Sequence, residues 1–186
     1  SKPLFNVKKS RLFHSAIPPT RTRKMESQRR PQYQEVFRTL QVQKCLEIFE
    51  SIAEDSHHKI QASFAPHILI RADAVLLQQL VCNILDNGLI HTPPDTVISI
   101  SVTRTTNQAE LCIADNGPGV PVNLLPKLAE RFFRLDRSRS TPGTGLGISL
   151  ANAITEHLGG VFILEDNMPG LRVLITFPLF DQPAVN

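Results

Sequence analysis

The chain has 186 residues, 41% hydrophobic and 20% charged, with a formal net charge of +3. That is the length of one domain with room for a buried core, and no apolar run approaches the ~18 residues that a membrane helix needs. Cys45, Cys82 and Cys112 are odd in number and far apart, which fits a reducing compartment and offers no metal-ligand spacing.

The charge is unevenly spread. Residues 1–30 carry nine basic side chains against Glu26 alone, a balance of +8, so the rest of the chain carries −5 to reach the total of +3. The first residues, Ser-Lys-Pro-Leu-Phe, show no apolar segment with a small-residue cleavage site, so no secretory signal is read there.

Residues 1–31 hold no sustained apolar periodicity, and Pro18-Pro19-Thr20-Arg21-Thr22-Arg23 forbids a continuous helix, so this stretch reads as a tail or linker. Val36 to Leu40 is a short strand, and Val42 to Ala53 sets Val42, Cys45, Leu46, Phe49 and Ile52 at helical spacing. His58 to Phe64 alternates, with Ile60, Ala62 and Phe64 on one face. Asp73 caps a helix reaching His91, with Leu76, Leu77, Leu80, Val81, Ile84 and Leu85 as its apolar stripe, and Pro93-Pro94-Asp95 ends it. Strands Val97–Arg104 and Ala109–Asp115 flank a Thr-Thr-Asn turn. A Gly-Pro-Gly segment, a helical stretch near Asn123 to Arg131 and a polar loop from Asp136 to Thr144 follow. A helix from Leu146 to Leu158 stops at Gly159-Gly160, and Val161–Glu165 and Leu171–Phe177 are the last strands. The mixture predicts an α+β fold, a two-layer α/β sandwich with helices on one face of a mixed, mostly antiparallel sheet.

Three constellations could carry chemistry. Asn83, Asn87 and His91, spaced by four, share one helix face, and neutral amide oxygens suit a hard, phosphate-bound cation such as Mg2+. Asp115-Asn116-Gly117-Pro118-Gly119 follows a strand; its carboxylate can accept from an exocyclic amine, and the glycines let backbone approach a planar ring. Gly143-Thr144-Gly145-Leu146-Gly147 runs into a helix, where freed backbone amides make an anion site. Taken singly, these are solvated asparagines, a turn and a loop.

In this order, with Glu130-Arg131-Phe132-Phe133-Arg134 between the second and third, they resemble the catalytic ATP-binding domain of bacterial sensor histidine kinases. That domain has the Bergerat-type fold of a class shared with gyrase, a mismatch-repair ATPase and a heat-shock chaperone. The resemblance covers about Gln34 to Leu179 and implies a division into a basic linker or tail, 1–33, a catalytic domain, 34–181, and a C-terminal tail, 182–186. It implies ATP and Mg2+ as cofactors, with Asn87 ligating the metal, Asn83 assisting, and His91 near the nucleotide. Asp115 resembles the carboxylate that recognises the adenine amine, with Gly117 and Gly119 shaping its pocket. Phe132 and Phe133 match an aromatic pair at the base of a lid, with core packing as the plainer alternative. Arg134, Arg137 and Arg139 are candidates to meet the phosphates, a solvated loop being the alternative for the last two. Gly143, Thr144, Gly145, Leu146 and Gly147 resemble the hinge and phosphate-facing turn at the lid's end.

Two departures stand out: Ile90 replaces a usual lysine, removing a phosphate-binding cation, and the lid is short. Members of the class that hydrolyse ATP usually hold a glutamate at the position of Asn83, which cannot act as a general base. The resemblance therefore implies a kinase that offers the γ-phosphate to a histidine on a dimerisation hairpin, for relay to a response regulator. None of the six histidines has the context of that acceptor, so it is expected outside this chain, in a cytoplasmic part of a membrane-bound homodimer. The alternative is a pseudokinase or a binding module whose basic tail docks on nucleic acid or acidic membrane. The tail lacks interleaved aromatics and forms no basic helix, so nucleic acid is not expected.

Overall fold

The computed structural model describes residues 36–37, 40–66, 68–133 and 145–180. In chain order these form β1 (Val36–Phe37), α1 (Leu40–Asp55), β2 (Lys59–Phe64), β3 (Ile70–Arg71), α2 (Ala74–His91), β4 (Val97–Arg104), β5 (Gln108–Asp115), a 3-10 turn (Val122–Leu124), α3 (Leu125–Leu128), α4 (Gly147–His157), β6 (Val161–Asp166) and β7 (Leu171–Pro178). The tail reading of the first residues lies outside the described part.

Five strands make a sheet in the order β2-β4-β5-β7-β6. β2 runs parallel to β4, which requires a crossover, and α2 supplies it. The other neighbours are antiparallel, so the sheet is mixed and mostly antiparallel, as the sequence predicts. Strand periodicity assigns its faces. Ile100, Ile113 and Val173 stand in register, as do Val102, Leu111 and Ile175, and all six are buried. Their neighbours Ser99, Thr103, Glu110, Arg172 and Thr176 put polar groups on the opposite face.

The helices cover the apolar face. Val42, Cys45, Leu46 and Phe49 of α1, and Leu77, Leu80, Val81, Ile84 and Leu85 of α2, belong to one core with the strands, as do Ala151 and Ile154 of α4. Each such large side chain contributes roughly 1.5–3 kcal/mol when removed from water. α2 lies between α1 and α4, so the polar side of α2 is framed by its neighbours.

Four local expectations differ. Leu40 opens α1 rather than closing a strand, because β1 has only the two residues that its antiparallel partner β3 can pair. Ile52 is exposed and Ala53 is buried in its place: from Val42, Ala53 returns to within about 20° of the inward direction, whereas Ile52 stands about 80° away. Ala62 is exposed because β2 is an edge strand. The helical stretch near Asn123 to Arg131 shrinks to the 3-10 turn and α3, since Phe132 takes φ +65°, which no helix continues.

Candidate functional site

α2 is the spine of the site. The Asp73 carboxylate accepts from Val75 N at 2.8 Å and Leu76 N at 3.1 Å, while Thr92, extended ahead of Pro93, ends the helix. The caps and the apolar stripe fix its rotation, leaving Asn83 and Asn87 half-buried and His91 exposed. Asn83 Nδ2 is buried with no hydrogen-bond partner among the described residues. An orphan donor of that kind costs about 1–3 kcal/mol, and an acceptor such as a water or a phosphate oxygen would relieve it. Mg2+ bound to phosphate keeps several waters and needs one or two protein oxygens, and the amides of Asn83 and Asn87 fit that modest requirement. Ile90, in place of a cation, is exposed on the same helix.

β5 delivers Asp115 to the C-terminal end of α2. Its side chain is 8% exposed, and Oδ1 accepts from Gly117 N at 2.9 Å and Leu171 N at 3.3 Å. Oδ2 takes no hydrogen bond from the described residues. One oxygen thus fixes the carboxylate while the other remains an acceptor, the arrangement that recognition of an exocyclic amine needs. Gly117 is buried, and a Cβ there would stand 2.8 Å from Thr92 Cγ2. Gly119, at φ +72°, would place a Cβ 2.9 Å from Gly170 O. Both glycines are therefore required by close approach.

The third constellation meets the first at Gly147 and the Phe132 segment at Gly145. Phe132 N–H donates to Gly145 O at 3.2 Å, and a Cβ on Gly147 would lie 3.4 Å from Asn83 O. Leu146, at the N-cap of α4, makes no side-chain cap, which leaves the first-turn amides for another acceptor. Phe132 is 72% exposed, so it is no core residue, while Phe133 is half-buried. Arg134, Arg137, Arg139, Gly143 and Thr144 lie outside the described residues.

The sequence reading missed four residues around Asp115. Asn167 Nδ2 donates to Asp115 O at 2.8 Å, Gly170 packs so closely that a Cβ would overlap that same oxygen, and Leu171 N and Thr92 act as described. Asn167-Met168-Pro169-Gly170 reads locally as an ordinary hairpin turn; its partner is 52 residues earlier.

Under this helix layer, the thiols of Cys45 and Cys82 face each other between α1 and α2. Burial and the neighbouring Cys82 push the Cys45 thiol up to about 12, and burial raises Cys82 as well.

Residues 72–181 match the family described as histidine kinase-, DNA gyrase B-, and HSP90-like ATPase. The chain belongs to this family. The matched stretch is the ATP-binding catalytic domain, and it contains all three constellations. Among relatives, the adaptive-response sensory kinase SasA of Gloeothece citriformis is 32% identical over 145 residues, covering 73% of this chain and 36% of SasA. The sensor protein CiaH of Streptococcus pneumoniae is 33% identical, over 65% of this chain and 28% of CiaH. The chain thus spans about a third of the length of the curated relatives it matches. The solved structure of a mycobacterial sensor histidine kinase, MprB, superposes with a TM-score of 0.69 at 26% identity, over 80% of this chain and 99% of that one. The ATPase-family match leaves the basic residues 1–30 unaccounted for.

Proposed function

We propose that the chain is the catalytic part of a two-component sensor histidine kinase, with residues 34–181 as its working domain between a basic linker and a short C-terminal tail. The observation that carries the reading is the half-committed carboxylate of Asp115 at the foot of the asparagine helix. Asp115 Oδ2 accepts the adenine amine, with Gly117 and Gly119 admitting the ring. Asn87, helped by Asn83, holds Mg2+, and His91 stands near the nucleotide. Bound there, Mg2+ would neutralise charge on the phosphate oxygens.

The chain's own residues position the nucleotide. The start of α4 at Leu146 and Gly147, with Gly143, Thr144 and Gly145 before it, offers amides to the phosphates, and Phe132 and Phe133 flank the base of the lid. Arg134 and Arg139 supply positive charge, which Ile90 does not. With an amide at Asn83 and no carboxylate base there, the site keeps ATP for transfer rather than for attack by water. The acceptor is a histidine on a dimerisation hairpin elsewhere in the full-length protein, a membrane-bound homodimer working on the cytoplasmic side, and the phosphoryl group passes to a response regulator.

Titration calorimetry with ATP tests this directly. Asp115→Ala is expected to abolish measurable binding with or without Mg2+. Asn87→Ala is expected to remove the gain in affinity that Mg2+ gives the wild type. Unchanged titrations for both variants would refute the site.

A further inference from the structure

His58 is 6% exposed and lies outside the three constellations. It joins the ends of two helices. Nδ1 sits 2.9 Å from Ser56 O and 3.1 Å from Ser56 Oγ, just past α1, and Nε2 is 3.0 Å from Thr92 Oγ1, at the C-cap of α2. The Thr92 hydroxyl also donates to Gly88 O at 2.7 Å, and the tautomer of the imidazole sets the direction of its bond with Nε2. The Ser56 hydroxyl donates to Ile52 O at 2.8 Å, so Ser56 meets Nδ1 chiefly through its carbonyl, an acceptor. The backbone reinforces the join: His58 N donates to Ala53 O at 2.7 Å, and Asp95 N donates to His57 O at 2.7 Å.

Thr92 continues the path. Its Cγ2 stands where a Cβ on Gly117 would come within 2.8 Å, so the threonine methyl is the floor beneath that glycine. Gly117 N in turn donates to Asp115 Oδ1. We infer that His58 is a positioning residue for adenine recognition: it orients Thr92, Thr92 supports Gly117, and Gly117 aims the Asp115 carboxylate. The inference rests on the ATP site proposed above, and it adds a residue that touches no nucleotide.

Two amide substitutions separate this role from general packing. Glutamine sets its amide near the place of Nε2 and keeps the bond to Thr92, whereas asparagine reaches only the place of Nδ1 and keeps the bond to Ser56. In the full 186-residue chain, His58→Gln is expected to bind ATP and ADP within about twofold of wild type, and His58→Asn about tenfold more weakly for both, as loss of one buried hydrogen bond predicts. Thr92→Val, which keeps the methyl and loses the hydroxyl with its bonds to His58 and Gly88 O, should be at least as weak as His58→Asn, and the double variant should be no weaker than Thr92→Val. Amide hydrogen exchange at Gly117, measured without nucleotide below the unfolding range of each variant, should quicken in His58→Asn and Thr92→Val but not in His58→Gln. Equal effects of Gln and Asn on exchange and affinity, or wild-type behaviour of Asn, would overturn the inference. A wild-type chain that binds no ATP would remove the proposed site, and the exchange contrast would still decide whether His58 governs Gly117.

Discussion

Asp115 is held from three directions, by the amides of Gly117 and Leu171 on Oδ1 and by the Asn167 side chain on its carbonyl. Gly170 makes this possible. It sits at φ +114°, and any side chain there would overlap Asp115 O. Gly170→Ala is therefore expected to cost about 2–4 kcal/mol by urea unfolding and to weaken ATP binding, because relief requires the turn or the carboxylate to move. Stability equal to wild type would show that the turn does not bear on Asp115. The local half of this arrangement was legible in the sequence, since Asp115-Asn116-Gly117 is a contiguous strand-to-turn signal. The other half was not: Asn167 and Gly170 become neighbours of Asp115 only when the β6–β7 hairpin is laid beside β5, and no local pattern encodes that pairing.

At the scale of the element, α2 separates folding from binding on its two sides. Leu80 is fully buried in the core, and Leu80→Ala is expected to cost about 2–5 kcal/mol in urea. Asn83, three residues on, carries a buried amide nitrogen with no partner among the described residues, so Asn83→Ala is expected to leave stability unchanged or slightly raised while weakening Mg2+-dependent ATP binding. A large loss of stability in Asn83→Ala would mean that the amide serves the fold. The helix itself was readable because eighteen residues between an aspartate cap and a Pro-Pro stop repeat the apolar pattern many times. β3 was not readable: two residues contain no period, and Ile70 and Arg71 are a strand only because Phe37 and Val36 pair with them.

For the whole molecule, alkaline stability follows from the α1–α2 interface. The Cys45 thiol has an ordinary value of 9.0 unfolded and about 12 folded. Between these values the unfolded chain loses the proton and the folded chain keeps it, so the contribution is fully present below pH 9 and is lost as pH rises toward 12. Each pH unit in that window removes on the order of 1 kcal/mol. Urea midpoints at pH 8 and pH 10.5 are expected to fall more steeply in the wild type than in Cys45→Ala, even though the variant starts lower; parallel slopes would contradict the shift. The sheet order could not be read from the sequence, because alternation tells which side of a strand is buried and not which strand lies beside it. The family resemblance carried what periodicity could not.

The bond from Phe132 N–H to Gly145 O has a further consequence. It joins Phe132 to Gly145, so the two described ends of the chain that flank residues 134–144 are pinned to each other at one point. Lengthening a connection between two pinned ends costs little, about 0.6 kcal/mol for each doubling. A change in the number of residues between Phe132 and Gly145 is therefore expected to leave the fold beneath Asp115, Asn83 and the start of α4 intact, and urea unfolding of a variant lengthened there checks it. Ile90 on α2 and the stretch of sequence between Phe132 and Gly145 are then expected to tolerate change independently of each other.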